Sequence, residues 1–234
     1  MADYKDLEKT IGYVFKDRNL IITALTHSSY AYEVMAHSKT DKKHKFNERL
    51  EFLGDAVLEL TSSEFLFGEY PDYPEGKLTT LRASLVCEPT LAQAAREIKL
   101  GDYLLLSKGE DHTGGRRRNS ILSDAFEALI GAIYLDGGIE KAREFVSKFV
   151  LNDIENKHLF YDAKTILQEY LQANDMDNVR YEIAKEEGPA HDKTYTMYAY
   201  VGETKVGEGT GQTKKSAQQE AAYRALNYYG VKKA

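Results

Sequence analysis

Residues 47–60 read NERLEFLGDAVLEL. Wound into a helix at roughly 100° per residue, this stretch puts Leu50, Leu53, Val57 and Leu60 on one stripe and Glu48, Glu51 and Asp55 on the opposite one. Gly54 borders the acidic stripe. Like charges three or four residues apart repel one another, and Arg49 does not fall between them. A solvated helix face and a cation-binding face both account for this helix taken alone.

A second segment narrows the choice. Residues 120–135, SILSDAFEALIGAIYL, are strongly apolar, yet Asp124 and Glu127 interrupt them three residues apart on one face, flanked by Ala128 and Gly131. An idle carboxylate in such surroundings is costly. If the two helices pack at Gly54 and Gly131, the carboxylates of both converge, and such a cluster is tolerable only when cations neutralise it. Hard divalent ions with oxygen ligands fit best, Mg²⁺ first and Mn²⁺ as a substitute. A di-iron bundle would need Glu-x-x-His pairs, which these helices lack, and no EF-hand loop is present. With no Ser, His or Cys nucleophile in view, the chemistry suggested is a metal-activated water attacking a phosphodiester. Glu59 falls on the Glu48 face but about 16 Å along the axis from it, and reads as a surface residue.

Working outward, the chain as far as residue 156 keeps helical spacing, and the pattern predicts helices over 4–13, 20–30, 46–67, 75–86, 89–98, 120–135 and 139–153. Residues 31–45 are polar and rich in lysine, with His37 and His44 at no metal-ligand spacing, and read as a solvated loop. After a linker at 155–161 the pattern changes. A helix over 163–174, strands over 179–187, 194–201 and 204–211 and a helix from Lys214 capped by Thr213 give the order α-β-β-β-α. Close backbone approaches are expected at Gly207, Gly209 and Gly211. The fold class is thus an all-α domain over 1–154 followed by a small α+β domain over 162–231.

Composition sets the outer bounds. The 234 residues are 42% hydrophobic and 11% aromatic with 4 Pro, which excludes a disordered chain. No apolar run approaches the roughly 20 residues of a membrane span. A single cysteine, Cys87, and an N-terminus without an apolar leader point to a reducing, cytoplasmic setting. The net charge of −6 argues against a nonspecific nucleic-acid coat, but residues 162–234 hold 10 basic and 11 acidic residues, so the surplus acid lies in the helical part.

NERLEFLGDAVLEL at 47–60 closely resembles the signature motif of the bacterial ribonuclease III family, and SDAFEALIGAIYLDGG at 123–138 resembles its second acidic motif. The resemblance extends through the C-terminal domain and departs from the family in the longer 31–45 connection. It implies a dimeric helical endonuclease domain joined to a double-stranded-RNA-binding domain, cutting both strands of duplex RNA with Mg²⁺. Residue by residue, Glu51, Asp55, Asp124 and Glu127 match the metal-binding and catalytic carboxylates, with Asp55 and Glu127 the indispensable pair. Glu48 matches a further cleft acid. Glu75 matches another, although a helix-start acid explains it equally well. Phe52 matches an aromatic that inserts into the partner subunit; its position between the two stripes also suits a core residue.

Three sets in the C-terminal domain suit A-form RNA, which is read by shape, 2′-hydroxyls and phosphates. Thr165, Gln168 and Glu169 resemble the family's minor-groove set, and a plain polar helix face is the alternative. GPAHDK at 188–193 offers His191 to a second minor groove, with Lys193 beside it. TKKSA puts Lys214 and Lys215 in a first helical turn, where the dipole disfavours cations unless an anion such as phosphate lies opposite. Arg116, Arg117 and Arg118 form a basic, mobile segment before the Asp124 helix that suits phosphate or plain solvent. The expected activity is a cytoplasmic, homodimeric, Mg²⁺-dependent endoribonuclease maturing structured precursor RNAs. A catalytically silent duplex-RNA-binding protein on the same scaffold is the alternative.

Overall fold

The computed structural model describes residues 4–37, 45–188, 193–211 and 213–231. The chain divides into two units, Met1–Asn152 and Asp153–Ala234. The first carries α1 (Lys5–Ile11), α2 (Arg18–Ala24), α3 (Ser28–His37), α4 (Glu48–Glu69), α5 (Glu75–Val86), α6 (Glu88–Glu97), α7 (Lys108–His112), α8 (Asn119–Gly137) and α9 (Ile139–Phe149), with single 3₁₀ turns at Leu100–Tyr103 and Gly115–Arg117. Apolar almost all round, α8 becomes the central helix: Ile121, Leu122, Ala125, Phe126, Leu129, Ile130 and Ile133 are all buried. Along it, α4 buries Leu50, Val57, Leu58 and Leu66, and α9 buries Ala142, Phe145, Val146 and Phe149, with Phe145 stacked 5.2 Å from Phe126.

The region 20–45 differs from its sequence reading. Instead of one helix and a solvated loop there are two helices, broken at residues 25–27 because Thr26 forms a parallel bridge to Leu105. Leu105 N–H donates to the Leu25 carbonyl at 2.8 Å and His27 N–H to the Leu105 carbonyl at 3.1 Å. The polar residues of α3 then serve as anchors. Ser29 Oγ accepts the Ser107 amide at 3.1 Å, and the Glu33 carboxylate accepts the Lys108 amide at 2.9 Å. Residues 38–44, including His44, lie outside the described residues.

The second unit contains α10 (Ile154–Tyr161), α11 (Ala163–Ala173), β1 (Val179–Glu187), β2 (Thr194–Val201), β3 (Thr204–Gly211) and α12 (Lys214–Tyr228), with an antiparallel sheet in the order β1-β2-β3. Residues 155–161 are therefore not a linker. Leu159 is buried in this unit's core with Leu167, Leu171, Met197, Val206, Ala221 and Leu226, and Phe160 meets Tyr223 edge-on at 5.4 Å. The sheet closes on α12 without intervening side chains at Gly207 and Gly209, where a β-carbon would lie 2.1 Å from the Ala221 carbonyl oxygen and 2.3 Å from its nitrogen. Thr213 caps α12 by accepting the Ser216 amide at 3.0 Å, and Ser216 Oγ accepts the Thr213 amide at 3.1 Å. Among the described residues no helix is long and apolar enough to cross a membrane.

Candidate active site

The crossing of α4 and α8 organises the acids. A β-carbon on Gly54 would stand 1.8 Å from the Glu127 carbonyl oxygen, and one on Gly131 would stand 2.3 Å from that of Leu50. Backbone therefore rests on backbone at the two glycines, which draws Glu51 and Asp55 of α4 toward Asp124 and Glu127 of α8. Glu48 and Glu51 occupy the first turn of α4, where free amides favour negative charge.

The electrostatics record this convergence. Burial pushes the Glu127 carboxyl up to about 8, helped by the charges of Asp55, Glu51, Asp124 and, last, Glu59. Glu51 is raised by burial and then by Asp124, Glu48 and Asp55. Burial also raises Asp124, against the opposing pull of the Ser123 hydroxyl and of His27, with Glu48 adding to the rise. Among the described residues no lysine or arginine forms an ion pair with Glu48, Glu51, Asp55, Asp124 or Glu127. Repelling carboxylates without an internal cation suit an external one.

The donors are all carboxylate oxygens, the set preferred by hard divalent ions. Among the described residues no three acidic, histidine or cysteine side chains are arranged to hold a metal ion by themselves.

Other candidates separate. Glu75 starts α5, accepts the Thr79 hydroxyl at 2.9 Å and is not among the groups perturbing Glu51, Asp124 or Glu127. Glu59 pairs with Arg82 at 2.8 Å. Phe52 is 80% exposed, so it is not a core residue. Beyond the acids, α4 borders a cavity of about 560 Å³ lined by Leu20, Phe46, Leu50, Leu53 and Leu135, with Asp17, Lys45 and Arg49 at its polar positions. His27, which favours the ionised form of Asp124, escaped the sequence reading because only the Thr26–Leu105 bridge brings it there.

The basic run 116–118 is not a mobile segment. Arg116 and Arg118 are tied to Asp111 and Glu110, and Arg96 holds the Arg117 carbonyl at 3.2 Å. In the second unit, Thr165, Gln168 and Glu169 are exposed on α11, opposite the buried Ile166, Leu167 and Leu171. Lys193 and Lys214 both pair with Glu186, at 2.7 and 3.6 Å, and both lie over the Tyr195 ring, while Lys215 is exposed. His191 lies outside the described residues.

Comparison with known proteins gives the same two-part division. Residues 17–154 match the model of a ribonuclease-III-like family, and residues 163–229 match that of the double-stranded RNA binding motif. The chain is 47% identical over 226 residues to Ribonuclease 3 of Bacillus cereus (strain G9842), covering 95% of this chain and 90% of that protein. It is 48% identical over 233 residues to Ribonuclease 3 of Pelotomaculum thermopropionicum, covering 97% and 95%. The nuclease domain of ribonuclease III from Campylobacter jejuni, in a structure concerned with flexibility in a region involved in dimer formation, aligns with a TM-score of 0.57 and 45% identity, over 63% of this chain and 96% of that one. A helical unit with paired acidic motifs, followed by a duplex-RNA-binding motif and matched along nearly its whole length, places this chain in the ribonuclease III family, as an endoribonuclease.

Proposed function

We propose that this endoribonuclease works as a homodimer in the cytoplasm, uses Mg²⁺ or in its place Mn²⁺, hydrolyses both strands of duplex RNA and matures structured ribosomal and messenger RNA precursors. The observation that carries the reading is the glycine-to-glycine crossing of α4 and α8, which sets the charges of Asp55 and Asp124 where they raise the proton affinity of both Glu51 and Glu127. These four would hold the ion, with Asp55 and Glu127 indispensable and Glu48 adding negative charge at the edge. Glu75 is retained as an outlying cleft acid. When bound, such an ion lowers the pKa of a coordinated water and offsets charge on the leaving oxygen.

The second unit supplies the grip on the duplex. Thr165, Gln168 and Glu169 on the exposed face of α11 suit one minor groove, and His191 a second. Lys193, Lys214 and Lys215 suit the phosphates between, with the α12 N-terminus adding its amides. The apolar part of α4 supplies the partner contact. Phe52, exposed with Ala56 and Leu60 along one side of the helix, has the size and character to enter the 560 Å³ cavity of a second copy, in an arrangement where each subunit offers both knob and socket. Cleavage of an end-labelled RNA duplex tests the reading. Full double-strand cutting is expected in Mg²⁺ and none after chelation, and cutting undiminished by thorough chelation would overturn the metal assignment.

A further inference from the structure

The guanidinium of Arg116 joins three segments of the first unit. Its Nε and Nη2 donate to the Asp111 carboxylate at 2.7 and 3.1 Å, and its Nη1 donates to the carbonyls of Gly101 and Leu104 at 3.0 and 2.7 Å. The main chain packs there as well, since a β-carbon on Gly101 would lie 2.4 Å from the Arg116 carbonyl oxygen.

From this junction hydrogen bonds lead to both acid-bearing helices. Leu104 is followed by Leu105, which is bridged to Thr26. The Thr26 carbonyl accepts the Asn47 amide at 2.9 Å, and the Asn47 carbonyl accepts the amides of Leu50 and Glu51 at 2.8 and 2.9 Å. On the other side, Arg116 precedes by two residues Arg118, the N-cap of α8, whose carbonyl accepts the Leu122 amide at 3.0 Å. Asp124 and Glu127 follow within the next turns.

We infer that Arg116 is a positioning residue of the nuclease site: its planar fork fixes the start of α8 against the start of α4, and with it the spacing of Asp124 and Glu127 relative to Glu51 and Asp55. With four hydrogen bonds committed inside the fold, this side chain is not a phosphate contact. Arg117, exposed and without a side-chain partner among the described residues, is the member of the run open to RNA. The inference rests on the proposed reading that these carboxylates hold the cation.

The test compares Arg116→Lys, Asp111→Asn and Glu127→Gln with the unmodified protein. Three quantities are read: the cleavage rate at saturating duplex in Mg²⁺, the Mg²⁺ concentration giving half that rate, and duplex affinity in Ca²⁺ across a salt series. Arg116→Lys keeps the charge but loses the fork. It should lower the saturating rate at least tenfold and raise the Mg²⁺ midpoint several-fold, with affinity and salt slope within twofold. Asp111→Asn should move rate and midpoint the same way, although removing a negative charge near RNA would by itself favour binding. Arg116→Lys cleaving at the unmodified rate with an unchanged midpoint overturns the inference, as does a loss confined to affinity with a shallower salt slope. If Arg116→Lys does not fold at the assay temperature, Asp111→Asn decides by the same criteria. Unmodified cleavage by Glu127→Gln would remove the underlying metal-site reading; an inactive Glu127→Gln beside a fully active Arg116→Lys would remove only this inference.

Discussion

Glu127 and Glu59 share a charge type and differ in surroundings, and that difference fixes what each does. Glu59 has Arg82 at 2.8 Å, whereas Glu127 is half-buried among acids and its carboxyl is held up to about 8. In the ion-free fold Glu127 binds its proton more tightly than in the unfolded chain. Its contribution to stability is therefore fully present below the ordinary glutamate range and is lost as pH rises from about 4.5 to about 8. A divalent cation competes with that proton, so its stabilising effect should grow as pH rises. Melting curves with and without Mg²⁺ between pH 5 and pH 9 would check this: the gap between them should widen with pH, and Glu127→Gln should narrow it. The same substitution should lower cleavage by orders of magnitude while leaving duplex binding in Ca²⁺ level or stronger, because it removes one charge that repels phosphate. Glu59→Gln should change neither cleavage nor binding appreciably. Unmodified cleavage by Glu127→Gln would remove Glu127 from the chemistry.

At the scale of elements, helix contact without side chains is what the site requires. Gly131→Ala would put a methyl group 2.3 Å from the Leu50 carbonyl oxygen and 3.1 Å from the Gly54 amide nitrogen, so α4 and α8 must separate. Overpacking of this kind costs about 1–3 kcal/mol. Cleavage should fall at least tenfold even at temperatures where the variant stays folded. Gly68→Ala, on α4 with nothing within 4 Å, should instead stabilise by about 0.5–1 kcal/mol and leave cleavage unchanged. Thermal melts and cleavage assays on the pair would test the crossing directly. This crossing was legible in the sequence because small residues and carboxylates share a helical face at fixed spacing. The strands of the second unit were legible for a similar reason, since alternation and glycine spacing are local. The break between α2 and α3 was not, because Thr26 leaves the helix to pair with Leu105, far along the chain. The residues of α10 read as a linker because their burial comes from Tyr223 and the rest of the second unit's core, not from their own pattern. Arg116 read as a phosphate contact or a solvated charge, since a run of arginines looks the same in sequence whether or not its acceptors lie inside the fold.

At the scale of the whole molecule, cutting both strands in one encounter calls for two acidic clusters related by a two-fold axis, because one cluster serves one strand. The chain offers what such an axis needs. Phe52 is 80% and Leu60 58% exposed on α4, and a cavity of about 560 Å³ lies beside the same helix, so a single patch carries both the projecting ring and the hollow that would receive it. Symmetry doubles every change at such a patch. Phe52→Glu would drive a carboxylate into an apolar cavity on each side of the axis, and an isolated polar group so buried costs about 2–7 kcal/mol depending on its surroundings. The dimer dissociation constant should therefore rise at least 100-fold. The isolated chain should lose little stability, because the replaced ring is exposed in it. Sedimentation of the variant at micromolar concentration should show monomer where the unmodified protein shows dimer. Duplex RNA should then be nicked at best, with paired cuts lost even though every acidic residue is in place. A Phe52→Glu protein that still sediments as a dimer and still cuts both strands would move the partner contact to another surface.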